Sequence, residues 1–149
     1  MIQLLTADET HATTIRDFQV AMAQETENLS LDPETVLNGV RSLLAHPDRG
    51  HYVLAKNEGE IIASTLVLSE WSDWRNGEVW WIHSVYVTPP YRGKGAFKAI
   101  YESLKNQAKA HPSIFGIRLY VDKRNQIAKQ IYKSIGMNNE HYELFEWLK

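Results

Sequence analysis

Residues 84–104 constrain the fold more than any other part of the chain. An apolar, strand-like run that includes Val85 and Val87 is interrupted by two prolines, and a short basic loop with two glycines follows. Beyond the loop, apolar residues recur at the spacing of one helical face: Phe97, Ile100, Tyr101, Leu104 and Ala108. The stretch therefore predicts a strand, a basic glycine loop and a helix in that order.

The predicted loop has the chemistry of a phosphate site. Glycines let backbone N–H groups turn inward, and a helix N-terminus carries a partial positive charge. Arg92, Lys94 and Lys98 add full charges. We therefore expect a phosphate or pyrophosphate here, with a plain basic surface loop as the alternative. Neither GxxxxGKS/T nor GxGxxG occurs, which excludes a Walker A loop and the dinucleotide-binding fingerprint.

The loop resembles motif A of the GCN5-related N-acetyltransferases (GNAT), where a Q/R-x-x-G-x-G/A sequence holds the pyrophosphate of acetyl-coenzyme A. The resemblance implies the same cofactor here. The positions that match are Arg92, Gly93, Lys94, Gly95 and Ala96, and Phe97 occupies the last small position.

The resemblance to GNAT proteins also implies a cofactor-binding role for the strand before the loop. It implies that Val85, Tyr86 and Val87 belong to a strand that splays at a bulge. Backbone N–H groups of that strand would then bind the thioester carbonyl and the pantetheine amides, and stabilise the oxyanion that forms during transfer.

A second motif lies downstream, at residues 125–137. Its sequence resembles GNAT motif B, N-x-x-A-x-x-x-Y-x-x-x-G-F, with Met137 in the last position. The spacing places Asn125, Ala128 and Tyr132 on one face of a helix. The resemblance implies that Asn125 contacts the cofactor arm or a water, and that Tyr132 protonates the departing thiolate as general acid. A core tyrosine is the alternative.

The general base is less clearly marked. Trp81 stands about where GNAT proteins often carry a glutamate, and His83 shares its face of the strand. With an ordinary pKa near 6.5, His83 is a candidate base, directly or through water. Glu78 and a water alone are alternatives, and so is a purely structural histidine.

The acceptor site is predicted from charge and aromatic content. Glu25 and Glu27 fall in a predicted loop after the first helix, and Trp81 belongs to a second, aromatic wall with Trp71, Trp74, Trp80 and Asp73. Carboxylates beside aromatic faces suit a cation. We expect a small or polyamine-like amine, or a peptide amine; the alternative is a solvated acidic loop with tryptophans in the core.

Along the chain the patterns predict the order β-α-α-β-β-β-α-β-α-β. This is an α/β (α+β) fold with a mixed, mostly antiparallel sheet and about four helices, in one domain over residues 1–149. The first helix is predicted at 8–24 with a Thr6–Glu9 capping box. The later predictions are a polar loop or irregular extension at 69–77, a strand at 114–121, a helix at 123–135 and a last strand at 141–148.

Composition narrows the function classes. The formal net charge of −2 gives no general attraction for nucleic acid. The absence of cysteine excludes disulfides, thiolate metal sites and a cysteine nucleophile. We expect a cytoplasmic acyltransferase that uses acetyl-CoA, without a metal, a nucleic acid or a membrane as partner. Its assembly is left open between a monomer and a homodimer. The alternative function is an acyl-CoA-binding sensor of the same fold without turnover.

Overall fold

The computed structural model describes residues 1–149 and contains two compact units, Met1–Arg118 and Leu119–Lys149. The second unit contains one helix, α4 (Gln126–Ser134). None of the helices combines the length and the apolar character that a bilayer span requires. The elements of the first unit are β1 (Ile2–Thr6), α1 (Ala12–Glu27), α2 (Pro33–Leu44), β2 (Gly50–Asn57), β3 (Glu60–Ser72), β4 (Gly77–Val87), α3 (Ala96–Ala110) and β5 (Ile114–Arg118).

The five strands form one sheet in the order β1-β2-β3-β4-β5. The first three pairings are antiparallel and the β4–β5 pairing is parallel. Antiparallel neighbours are joined by tight turns or helical excursions, whereas the parallel pair requires the α3 crossover. The sheet is mixed and mostly antiparallel and the chain has four helices, which confirms the predicted fold class.

The core lies on both faces of the central strands. Tyr52 and Leu54 of β2 pack with Ile15 of α1 and Val40 of α2 in one buried cluster. In β3, Ile62–Thr65 is at most 1% exposed, so side chains on both faces of that strand are covered. β3 is therefore the central strand and is covered on both sides.

The first helix begins and ends differently from the prediction. Asp8, rather than Thr6, caps the short 3-10 turn that precedes α1: its carboxylate accepts from the N–H of Thr10, and His11 Nδ1 accepts from the Asp8 N–H. At the other end α1 continues to Glu27, because only Asn28 takes the left-handed conformation that terminates it, with φ of 50°. Glu25 and Glu27 therefore lie in the last helical turn, and their placement in a loop was wrong.

Residues 69–77, predicted as a polar loop or an irregular extension, are mostly regular strand. β3 continues to Ser72 because each residue from Ser69 onward has a partner in β4. Trp80 is buried and its ring contacts His51 at 5.7 Å between centroids, whereas Trp71 and Trp74 are exposed. Neighbouring strand residues point to opposite faces of a sheet. Trp80 and Trp81 therefore lie on different faces, and the prediction that both line one aromatic wall was wrong.

Two predictions for the C-terminal region were also wrong. Residues 141–148 form no strand, and β5 ends at Arg118 rather than at Val121. An alternating sequence is compatible with a strand, but only ladder hydrogen bonds to a partner create one. Helix α4 starts at Gln126, and its apolar residues Ile127 and Ile131 are 74% and 44% exposed.

Candidate active site

A β-bulge interrupts β4 just before the glycine loop. The β3–β4 register shifts between Ser64 and Leu66, so that Ser84 and Val85 stand opposite Thr65 alone. Ser84 has a φ of 51°, in the left-handed region that non-glycine residues rarely adopt. Because a bulge bends its strand and increases the local twist, it changes the direction of everything that follows in β4.

From Ile82 onward, and so throughout the bulge, β4 is no longer paired with β5. The last residue pair between β4 and β5 is Trp81 with Arg118, whereas β4 continues to Val87. On its other side β4 remains attached to β3, where Val87 pairs with Ala63. The backbone of residues 82–87 therefore has an edge without β5 hydrogen bonds, and this edge includes the Val85–Val87 segment predicted to hold the cofactor arm.

The loop after β4 presents free backbone donors. Gly93 and Gly95 have φ values of 72° and 86°, and a Cβ on either would meet no atom within 4 Å. The N–H groups of Gly93, Lys94 and Gly95 make no hydrogen bond within the protein, and α3 begins at Ala96 without a side-chain cap. Unused donors at a helix N-terminus, with open space in front of the glycines, fit a phosphate group.

The two residues that follow Gly95 differ in their environment. Ala96 is 2% exposed, so the start of α3 is anchored in the core. Phe97, which occupies the last small position of the motif, is half-buried and its ring lies 6.4 Å from that of Tyr101 one turn further on. The large side chain therefore packs along α3, and Lys94 stands over the Tyr91 ring at 5.5 Å.

Arg92 connects the glycine loop to α1. Its Nη2 donates to Glu25 Oε2 at 2.6 Å and its Nε donates to the Val87 carbonyl at 2.9 Å. Its guanidinium also lies 5.6 Å from the ring centre of Tyr86, whose pKa is raised by burial and, next, by the nearby Glu25 charge. The structure thus brings together Glu25, which was predicted to bind the acceptor amine, and Arg92, which was predicted to bind the cofactor.

The candidate bases lie on β4 before the bulge. The rings of Trp81 and His83 stack at 6.2 Å, which confirms that these two side chains share a face. Burial lowers the pKa of His83, which keeps its imidazole neutral at pH 7 and able to accept a proton. Glu78 lies near the start of β4, where its carboxylate accepts from the Ser69 hydroxyl at 3.3 Å.

Asn125 and Tyr132 belong to the second unit. Asn125 is the N-cap of α4 and its Oδ1 accepts from the N–H of Ala128 at 3.0 Å, so it precedes the helix instead of sharing a helical face with Tyr132. Burial raises the pKa of Tyr132, which keeps its hydroxyl protonated at neutral pH. Gly136 follows the helix with a φ of 93°, in the left-handed region that glycine adopts readily.

Comparison with known proteins identifies the family. The family model described as acetyltransferase (GNAT) family matches residues 12–137. The chain belongs to the GNAT family. It is 36% identical to a possible acetyltransferase from Clostridium difficile 630, with a TM-score of 0.93 over 100% of this chain and 98% of that one. Among curated proteins, none matches it significantly.

Two more distant structures share the GNAT fold. Glucosamine-6-phosphate N-acetyltransferase from Arabidopsis thaliana has 20% identity and a TM-score of 0.73, over 100% of this chain and 99% of that one. Ribosomal-protein-alanine N-acetyltransferase from Brucella melitensis biovar Abortus 2308 has 14% identity and a TM-score of 0.81, over 100% of both chains. These identities show the fold and do not transfer an acceptor.

Some features of this GNAT chain could not be predicted from its sequence. Ser84 carries no local signal for a left-handed residue, since glycine or asparagine would be the usual choice. Gln19, Ser64 and Thr65 are buried, and their amide nitrogen or hydroxyl has no hydrogen-bond partner within the protein. Thr65 is the residue opposite the bulge, so one of these unused polar groups lies at the distorted position.

Metal-binding groups and cavities are the other features of the molecule that could form a site. No group of three or more histidine, cysteine, aspartate or glutamate side chains is arranged to hold a metal ion. A cavity of about 210 Å³ lies between α3 and β5, lined by residues that include Tyr101, Lys105 and Ile117. None of its lining residues belongs to the predicted active site.

Proposed function

We propose that this protein transfers the acetyl group of acetyl-CoA directly to a primary amine. The observation that carries the proposal is the end of β4, which is bulged and is paired with β3 but not with β5. It leads into a loop whose backbone N–H groups have no hydrogen-bond partner within the protein. Members of the matched family use acetyl-CoA and act on amines. The chain has no cysteine, and we therefore propose a single direct transfer without a thiol-bound acetyl intermediate.

Binding of acetyl-CoA is assigned to three parts of the chain. The backbone of Val85, Tyr86 and Val87 would hold the thioester and pantetheine end. The loop from Arg92 to Phe97 would hold the pyrophosphate through backbone N–H groups and the α3 N-terminus. Asn125 would contribute its side-chain amide nitrogen, since its Oδ1 is already used in capping α4.

The proposed chemistry needs one proton acceptor and one proton donor. The amine attacks the thioester carbonyl carbon after it has lost a proton to His83, directly or through water; Glu78 is the less favourable base. The carbon–sulfur bond then breaks and the thiolate takes a proton from Tyr132. The proton that the amide nitrogen must still lose restores the Tyr132 hydroxyl, directly or through water. Both groups have the required form at pH 7, because burial keeps His83 neutral and Tyr132 protonated.

The acceptor is proposed to be a cationic amine. Glu27 is an exposed carboxylate in the last turn of α1, and Trp81 offers an aromatic face on β4. Glu25 belongs to the same turn but is occupied by Arg92. The two distant structures act, by name, on a glucosamine phosphate and on a ribosomal-protein alanine, so the fold accommodates both sugar amines and peptide amines. Dimerisation and a cytoplasmic location stay predictions.

An acyl-CoA sensor without turnover is the second candidate. Two residues favour it: Phe97 at a position where the motif has a small residue, and Trp81 where a glutamate is common. Both candidates require CoA binding, and only the first requires a proton donor at Tyr132. Thiol release therefore distinguishes them.

The test is a thiol-release assay with acetyl-CoA and a panel of polyamines, aminoglycosides, amino acids and lysine peptides. We expect turnover with one amine class, and a loss of roughly 10²-fold or more in kcat for Tyr132→Phe with unchanged CoA affinity. Tyr142→Phe, the same chemical change at an exposed tyrosine of the second unit, should behave as wild type. CoA binding without turnover on any amine would favour the sensor.

A further inference from the structure

We infer that Glu25 is a latch on Arg92, which the pyrophosphate of CoA must displace when it binds. The inference rests on the proposed cofactor site and adds to it a competitor supplied by the protein itself. Glu25 would thereby lower the affinity of the loop for CoA. This assigns Glu25 to control of the cofactor loop, in place of the acceptor contact that its charge alone suggested.

Arg92 has two contacts within its own segment of the chain and one with α1, and its guanidinium lies 5.6 Å from the ring centre of Tyr86 on β4. Its Nε donates to the carbonyl of Val87, at the end of the same strand that carries the loop. Its Nη2 reaches across to Glu25 on α1. The contact with Glu25 is a side-chain ion pair between residues far apart in sequence, and it can break without any change in backbone conformation.

The exposure of the pair makes exchange favourable. The Arg92 and Glu25 side chains are 46% and 41% exposed, so water screens their attraction and the pair contributes little net stability. A phosphate group offers a guanidinium two acceptor oxygens with more negative charge, and such charge-assisted pairs are among the stronger hydrogen bonds. The Nε–Val87 bond would keep the guanidinium beside the loop during the exchange.

The direction of the change in CoA affinity when the Glu25 charge is removed tests the competition. If Glu25 holds Arg92 away from the phosphates, removing its charge should strengthen CoA binding, roughly two- to fivefold for an exposed pair. If the pair instead braces the loop, the same change should weaken binding. The two readings of one contact thus predict opposite shifts in the same dissociation constant.

The experiment is isothermal titration of CoA into wild type, Glu25→Gln, Arg92→Gln and the double variant. We expect tighter binding for Glu25→Gln, weaker binding for Arg92→Gln, and no further effect of Glu25→Gln in the Arg92→Gln background. Asp17→Asn removes the same charge from an exposed position of α1 and should leave CoA affinity unchanged. Thermal unfolding of each variant checks that the fold is retained.

Three results would overturn the latch. Unchanged or weaker CoA binding by Glu25→Gln is the first. The second is tightening that persists without Arg92, since it would reflect net charge alone, and the third is equal tightening by Asp17→Asn. These results leave the proposed function standing, whereas absence of CoA binding by the wild type would remove the cofactor assignment itself.

Discussion

Substitutions of Ser84 test whether its left-handed backbone conformation maintains the bulge in β4. At φ of 51° the Cβ of an L-residue crowds the following carbonyl oxygen, at a cost of about 1–2 kcal/mol. Glycine avoids this crowding but loses about 0.5–1 kcal/mol through its greater freedom in the unfolded chain. Ser84→Gly should therefore be neutral or raise the free energy of unfolding by up to about 1.5 kcal/mol. Ser84→Val should lower it, because a β-branched side chain is stiff and prefers a regular strand.

Urea unfolding and CoA titration on the same three proteins supply the measurement. The valine variant can either keep the bulge and lose stability, or straighten β4 and lose CoA affinity. The expected order of stability is glycine at or above serine, and serine above valine, with a spread of about 2 kcal/mol. A valine variant that matches wild type in both stability and CoA affinity would refute the argument that this bulge is strained and functional.

Three further predictions follow from buried groups. Burial raises the pKa of Tyr52 to about 12, so the unfolded chain ionises first and stability should fall from pH 10 to about 12. By linkage the share of Tyr52 in this loss is roughly 2.7 kcal/mol at most. Because the pKa values of Tyr86 and Tyr132 are raised as well, pH-dependent urea unfolding should show a smaller loss in Tyr52→Phe than in wild type. Because burial lowers the pKa of His83, kcat/KM should decline only below about pH 6.5, and His83→Gln should abolish this limb of the profile. Gly50→Ala places a Cβ 2.1 Å from the Val67 carbonyl oxygen and should cost more than about 2 kcal/mol, whereas Gly39→Ala, with nothing within 4 Å, should not destabilise.

The elements and the loop chemistry were accessible from the sequence because they depend on local pattern. Helical spacing located α3. The Asp32-Pro33 sequence is typical of a helix start, and in the structure Asp32 accepts from the Thr35 N–H at the start of α2. The Asn57-Glu58-Gly59 sequence is likewise typical of a tight turn, and Glu58 and Gly59 have positive φ values of 48° and 90° between β2 and β3. In each case neighbouring residues alone determine the backbone conformation.

Element ends depend on partners elsewhere in the chain. β3 extends to Ser72 through polar residues because β4 lies alongside it. Residues 141–148 have an equally good strand pattern and form none. Sequence periodicity records which side chains would share a face, but it contains no information on whether a second strand is present to complete the ladder.

The sequence by itself determined the family, the fold class and the basic glycine loop, since each of these is encoded in contiguous residues. Only the tertiary structure decided that β4 bulges at Ser84 and that Arg92 pairs with Glu25. The bulge arises from a register mismatch between two strands. The ion pair joins residues that are 67 positions apart in sequence. Only the packing of α1 beside the end of β4 brings their side chains within hydrogen-bonding distance.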